Sequence, residues 1–484
     1  MRLIALLSVA VLLLLLVPLF RIAIYTAPWY DDYNYGRYVQ TALNEERGLL
    51  SALNGALTCA RTEWWAWQGT FSSTFFMSLM PGVWGEEYYF LGPVFLILLL
   101  LFSLCVFVKV LVRDVLRAER AFCAAMQAIV SAMVIELMFH SQSGLFWYNS
   151  GIHYVGMHAF LLLLVSAWIR LLLGAGKTAS VFLALWTLAG AVLAGGANYV
   201  TALQGLLIGI GLLVLGILLH NKRCFLLMPS LALYAYGFFK NVTAPGNAKR
   251  GASYVGWGYS PLAAVGESFL EAFRQMGEMC RLIMPALMIL LAPIIWSALK
   301  KVRFRFRFPG LVLAGSLCLY ATGFTPSLYT LGHGGLARTL NAVKITLQLL
   351  LIIDEVYCLG WLQGKLARAG KLKSGEQAGS APVLFYLAAL GLMLTAFAAD
   401  PSRLTHYTSW GAYHYVHAGE AYNFHQEYLE RVETIKNGGS VVTVKPYGYR
   451  PWMISPGDLS ENPENETNKS MAAWYGKEAV ICQP

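Results

Sequence analysis

Long apolar runs, separated by short polar stretches, set the rhythm of this chain. A membrane-spanning helix needs about twenty consecutive apolar residues. Eleven runs approach that length: roughly 3–24, 89–112, 121–140, 152–173, 179–197, 200–219, 224–240, 282–299, 309–328, 339–362 and 381–399. Only "GGANYV" separates the pair within 179–219. The pattern predicts an all-α polytopic membrane protein of about eleven transmembrane helices. The first run is long for the apolar core of a secretory signal, and no small-x-small cleavage site precedes Pro28. It reads as a retained first helix.

Orientation follows from the Lys/Arg bias of short loops. "RDVLRAER", "GAGK", "HNKR", "KKVRFRFRFPG" and "GKLARAGKLKSGEQ" are short and basic, and they fall between alternate pairs of helices. Placing them in the cytoplasm puts the N-terminus inside. The longer segments at about 25–88, 140–151, 241–281 and 325–338, and a tail from about 400 to 484, are then extracytoplasmic. In domain terms, residues 1–399 form the transmembrane module, with 25–88 as its first outer loop. Residues 400–484 form a small α/β region of their own. There "AYNFHQEYLERVETIKNGG" reads as an amphipathic helix closed by glycines, "SVVTV" as a short strand and "MAAWYGK" as a last helical turn.

Composition agrees with the pattern. The chain has 484 residues, of which 57% are hydrophobic and 13% charged, with a mean hydropathy of +0.55. A soluble domain is about a quarter charged. The net charge of +10 comes from basic residues clustered in short loops, which points to topology and anionic lipid headgroups rather than to nucleic acid. The eight cysteines include no CxxC and sit mostly inside apolar runs, as small core side chains. Cys59 and Cys482 fall on the outer side, where a disulfide is open to them. No zinc ligand cluster exists. "GAGKT" at 174–178 fails as a phosphate loop, because residue 171 is Leu where the motif needs Gly. Three Asn-x-Ser/Thr matches, Asn241, Asn465 and Asn468, fall on the outer side.

The polar groups that suggest chemistry gather on that same side. Asp31 and Asp32 stand in "TAPWYDDYNYG", directly after the first apolar run. "EWWAWQGTFSSTFF" follows in the same loop and supplies Trp64, Trp67 and Gln68. "ELMFHSQSGLFWYNSGIHYVGMH" carries Glu136, His140, Trp147 and Asn149, with Glu136 and His140 spaced to share a helix face. "GGANYVTALQ" carries Asn198, "NVTAPGNAKRGASY" carries Lys249 and Arg250, and "TPSLYTLGHGGLARTLN" carries Arg338. Such a set suits a cavity at the outer membrane surface. The chemistry that fits is glycosyl transfer from a lipid-linked sugar. The lipid chain needs an apolar groove, its phosphate needs Arg or Lys, and its sugar needs aromatic platforms and amides. The acceptor hydroxyl needs a general base, and in a pair of adjacent carboxylates one pKa is raised toward neutrality. Asp31 and Asp32 are the catalytic candidates, with Asp31 slightly favoured as base. Lys249, Arg250, Arg338 and His140 are candidates for the donor phosphate, with Arg37 a further one. Trp64, Trp67, Gln68, Trp147, Asn149, Asn198 and Glu136 are candidates for sugar and acceptor. No cofactor is expected; the Asp pair could take a divalent cation, but no full ligand set accompanies it.

Plainer roles stand beside these. The Asp pair also suits a helix N-terminus, and Trp64, Trp65 and Trp67 also suit an interfacial belt. Glu136 could be a structural partner of His140. His153 and His158 read as packing or interfacial residues. Arg250 and Arg338 could anchor helix ends. Asp354 and Glu355 read as structural, and "RFRFRF" as a stretch lying against the inner-leaflet surface.

An Asp pair in the first outer loop resembles the hallmark of the GT-C superfamily of polytopic glycosyltransferases. Taken in order, "PWYDDYNYG", "WQGTFSSTFFMSLMP", "LFWYNSGIHYVGMH", "GGANYVTALQ", "TAPGNAKR" and "GHGGLARTLN" are similar to an uncharacterised bacterial multi-pass family of that type. The resemblance implies a polyprenyl-phosphate-linked donor, a glycan or glycolipid acceptor of the cell envelope, inversion at the anomeric carbon, and a first-loop acid as base, in an enzyme of the cell membrane. Two other functions compete. A transporter or flippase for lipid-linked glycans would favour internal repeats and broken helices near the midplane, and no repeat is visible. A polymerase or ligase joining lipid-linked glycans would share the GT-C scaffold.

Overall fold

The structure is a computed structural model that describes residues 1–174, 176–253, 256–370, 381–399 and 401–483. Each apolar run becomes a helix. The chain opens with α1 (Arg2–Ala23), then folds 25–88 into α2 (Asp31–Glu45), α3 (Leu49–Ala66), α4 (Phe71–Ser78) and two short 3-10 turns. Next come α5 (Leu91–Lys109), running into a π-helical turn at Val110–Val115, and α6 (Arg120–Glu136). A segment of two π turns around α7 (Tyr148–Gly151) leads into α8 (Met157–Leu173). There follow α9 (Lys177–Gly195), α10 (Tyr199–Leu218), α11 (Met228–Val242), α12 (Pro245–Ala252), α13 (Pro261–Cys280) and α14 (Ile283–Leu299). The bundle ends with α15 (Pro309–Ala321), α16 (Thr325–Leu331), α17 (Ala337–Arg368) and α18 (Ala381–Ala399). Beyond it lie α19 (Thr408–His417), α20 (Glu420–Asn437), β1 (Val441–Val444), α21 (Glu466–Trp474) and β2 (Ala479–Cys482).

Length and apolarity mark several of these helices as able to cross a membrane. Among the described residues seven helical stretches qualify: Arg2–Ala23, Glu86–Val115, Tyr148–Leu173, Thr178–Gly195, Tyr199–Leu218, Pro309–Leu331 and Ala337–Arg368. The pair α13 and α14, bent by 76°, makes up to eight. Shorter helices fall below that length. At 1.5 Å per residue α11 reaches only about 22 Å, short of a hydrocarbon core of about 30 Å. The sequence expectation also left 241–281 as loop, whereas α12 and α13 together fill most of it. Leu262, Val265, Phe269, Phe273 and Met276 recur at helical spacing there, and Ser260 caps the start by accepting from the Ala263 N–H.

The helices define two ends. At one, Lys301 pairs with Glu119 at 2.6 Å and Arg170 with Asp114 at 3.7 Å. At the other, residues 25–90 meet the C-terminal region. Tyr428 donates to Glu86, Gln142 donates to the carbonyls of Trp452 and Ser455, and the Trp474 ring packs on Tyr33. The C-terminal region is the α/β unit expected, with one strand more. β1 pairs with β2 in parallel, Val441 against Ala479 through Val444 against Cys482. Alternation along both strands buries Val442, Val444, Val480 and Cys482 against α20 and α21. Cys59 and Cys482 are both free thiols. Asn241 is fully buried, with its amide on the Gly195 and Ala197 carbonyls, so it is closed to glycosylation. Asn465 instead caps α21, and Asn468 is buried.

Candidate functional site

Two neighbouring carboxylates open α2 and meet opposite fates. The helix starts after Tyr30, whose φ of 29° and ψ of −89° lie outside the regions side chains favour. That turn points Asp32 inward. Asp32 is fully buried and accepts four hydrogen bonds: from Trp29 N–H at 2.9 Å, Tyr89 O–H at 2.8 Å, and Asn149 N–H and Nδ2 at 3.0 and 3.3 Å. Tyr89 in turn accepts from Tyr148 N–H at 3.1 Å, so its own proton is committed to Asp32. Every neighbour is a donor, which fits an ionised acceptor. Burial nevertheless lifts the Asp32 pKa from 3.8 to about 7, against the pull of those donors. Asp32 therefore ties α2 to α5 and α7.

Asp31 keeps a free face. Its Oδ2 lies 3.5 Å from Arg338 Nη1, at the start of α17, with side chains 18% and 30% exposed. Burial raises its pKa, and the nearby guanidinium groups of Arg338 and Arg250 hold that rise back. Arg250 reaches the group from α12 by donating to Gln68 Oε1 at 3.0 Å. Gln68 donates on to Tyr35 O–H at 3.1 Å, one turn along α2 from Asp31. Both cations lie over indole rings: Arg250 is 5.1 Å from the centroid of Trp67, and Arg338 is 5.8 Å from that of Trp147. Three buried polar atoms here have no hydrogen-bond partner among the described residues: Arg338 Nε, Trp147 Nε1 and His153 Nδ1.

The short loop before α12 explains how Arg250 arrives. A Cβ on Gly69 would fall 1.8 Å from the Asn241 carbonyl oxygen, and one on Gly246 2.5 Å from Trp67 N. Only glycine admits that approach. Asn247 then accepts from Gly69 N–H at 2.9 Å and from Tyr199 O–H at 2.6 Å, and donates to the Asn241 carbonyl at 2.7 Å.

Of the residues expected from sequence, Asp31, Arg250, Arg338, Gln68, Trp67 and Trp147 come together. Asp32 and Asn149 lie directly behind them as a hydrogen-bonded pair. Asn198 is a buried neighbour that caps α10 through Thr201 N–H and donates to the His153 carbonyl at 2.6 Å. Lys249 is exposed, and Trp64 donates to the Lys240 carbonyl at 3.1 Å. His140 and Glu136 belong to a different contact. His140 sits between Asn341, Ser143 and the Trp452 ring. Glu136 accepts from Ser409 N–H at 3.2 Å, at the start of α19. Arg37 lies over the Tyr38 ring. Sequence reasoning passed over Tyr35, Tyr89 and Asn247 and read His153 as a packing or interfacial residue, although "YDDYNYG" and "PGNAKR" held the signal for two of them. Among the described residues no group of three His, Cys, Asp or Glu is placed to hold a metal ion. No family model, curated protein or solved structure gives a significant match to the chain.

Proposed function

We propose that the protein is a membrane glycosyltransferase of the GT-C type, moving a sugar from a polyprenyl-phosphate-linked donor to an acceptor hydroxyl outside the cytoplasm. The observation that carries the reading is the meeting of Asp31 with Arg338 and Arg250 between two indole faces, at the end of the first apolar helix. In the reaction, Asp31 takes the acceptor proton as the acceptor oxygen bonds to the anomeric carbon. The bond from that carbon to the phosphate oxygen breaks, and its electron pair leaves with polyprenyl phosphate. Arg250 and Arg338 neutralise that charge. Donor phosphate drawing Arg338 away from Asp31 leaves the carboxylate more basic as substrate binds. Trp67 and Trp147 offer stacking faces for the sugar.

The test uses purified protein in nanodiscs, a polyprenyl-phosphate sugar and a short glycan acceptor. Release of polyprenyl phosphate that D31N abolishes supports the reading. Release that D31N leaves intact overturns it, as does sugar-lipid flux across vesicles that persists in D31N without any product.

A further inference from the structure

The end opposite Asp31 holds a second feature, independent of the proposed reaction. An apolar cavity of about 200 Å³ lies among α5, its π-helical turn, α6 and α17. Phe107, Leu111, Phe122, Met126, Ile352 and Val356 are among its walls. Over it runs the segment 302–307, which carries "VRFRFR" and is free of helix. Successive side chains of an extended segment point to opposite faces. Phe304 and Phe306 line the cavity, while Arg303, Arg305 and Arg307 are exposed.

The lid is seated by specific contacts. The Phe306 ring packs edge-on against Tyr357 at 5.3 Å, and Tyr357 O–H donates to the Arg307 carbonyl at 2.5 Å while accepting from Arg307 N–H at 3.0 Å. A Cβ on Gly360 would lie 2.4 Å from the Phe306 ring, so that glycine makes room for it. Among the described residues no carboxylate pairs with the side chains of Arg303, Arg305 or Arg307, whereas Lys301 and Arg170 nearby are each paired.

An apolar cavity of this size accepts hydrocarbon; an engineered apolar cavity of about 150 Å³ takes up benzene. A bilayer supplies hydrocarbon at its mouth, where Phe304 is 38% exposed. The row of unpaired guanidinium groups beside that mouth selects the headgroup. The structure assigns this cavity and its arginine row as a binding site for one anionic phospholipid of the bilayer, an acyl chain beneath Phe304 and Phe306 and the phosphate on the arginines.

Native mass spectrometry of the full-length protein, exchanged into mixed phosphatidylglycerol and phosphatidylcholine, tests the assignment. One phosphatidylglycerol should stay bound after other lipids are stripped. The triple variant R303Q/R305Q/R307Q should lose its preference for the anionic lipid by about tenfold or more, since each surface arginine contributes roughly a fivefold preference. V356F, which fills the cavity, should lose retention of both lipids while circular dichroism remains helical. Retention unchanged in both variants overturns the assignment. So does displacement of the lipid by polyprenyl phosphate at equal concentration, which would make the cavity part of a donor groove.

Discussion

At the residue scale, sequence neighbours divide one task. Asp31→Asn removes a buried carboxylate that burial disfavours, so the expected outcome is lost sugar transfer with unchanged or raised thermal stability. Asp32→Asn should do the reverse to stability. It turns an NH₂ toward donors that need an acceptor and should cost about 1–3 kcal/mol, read as a lowered melting temperature in detergent. The pH dependence has a definite sign. Both carboxyls have folded pKa values above the ordinary 3.8, Asp32 at about 7. Their ionisation therefore costs nothing at low pH and subtracts increasingly from stability as pH rises above 3.8, for Asp32 up to about 7. Transfer runs the other way. A base must be ionised, so kcat/KM should fall as pH drops through the raised pKa of Asp31, above the point expected of an exposed aspartate. A profile flat down to the ordinary carboxylate range would remove Asp31 from the role of base. Arg338→Gln deletes one charged hydrogen bond worth roughly 1.5–3 kcal/mol, or about 10- to 150-fold in kcat/KM for the donor.

At the element scale, the site depends on where short helices dock. Gly69→Ala puts a methyl group into the Asn241 carbonyl, so α12 must move and carry Arg250 off Gln68. The expected loss is about 1–3 kcal/mol in stability, with donor affinity falling alongside it, and calorimetry with a donor titration reads both. How much of this was legible depends on the kind of signal. Apolar runs marked the long uniform helices of the bundle, because burial in lipid demands one long apolar stretch. Elements with mixed composition, and very short ones, were harder. α13 hides its period among polar residues, and β2 carries only four residues with a partner far away in the sequence. The aspartate pair and the two arginines stood out by residue type. That Asp32 faces inward while Asp31 faces Arg338 depends on the Tyr30 turn, and no spacing rule announces that conformation. Glu136 and His140 were grouped with the site because a helix puts them on one face. The chain instead breaks into π turns after Glu136 and sends both toward α19 and Trp452.

For the whole molecule, the two ends carry different chemistry, and their sidedness is the matter to establish. With Lys/Arg-rich loops in the cytoplasm, the Asp31 end and the C-terminal region lie outside. A cysteine placed at Lys477 in a chain stripped of its native cysteines should react with a membrane-impermeant maleimide in intact cells. Labelling that requires permeabilised cells would invert the topology and move the proposed chemistry to the cytoplasmic face.

The packing of Trp474 and Tyr475 on Tyr33 has a consequence for biogenesis. The helix that presents Asp31 is made long before α21, yet part of its surface waits for that later segment. While the intervening spans are being inserted, α2 has no finished partner, so maturation of this end waits until α21 has been made. A chain halted before α21 should be membrane-integrated and helical, and should remain sensitive to proteases between α1 and α5 where the complete protein resists them.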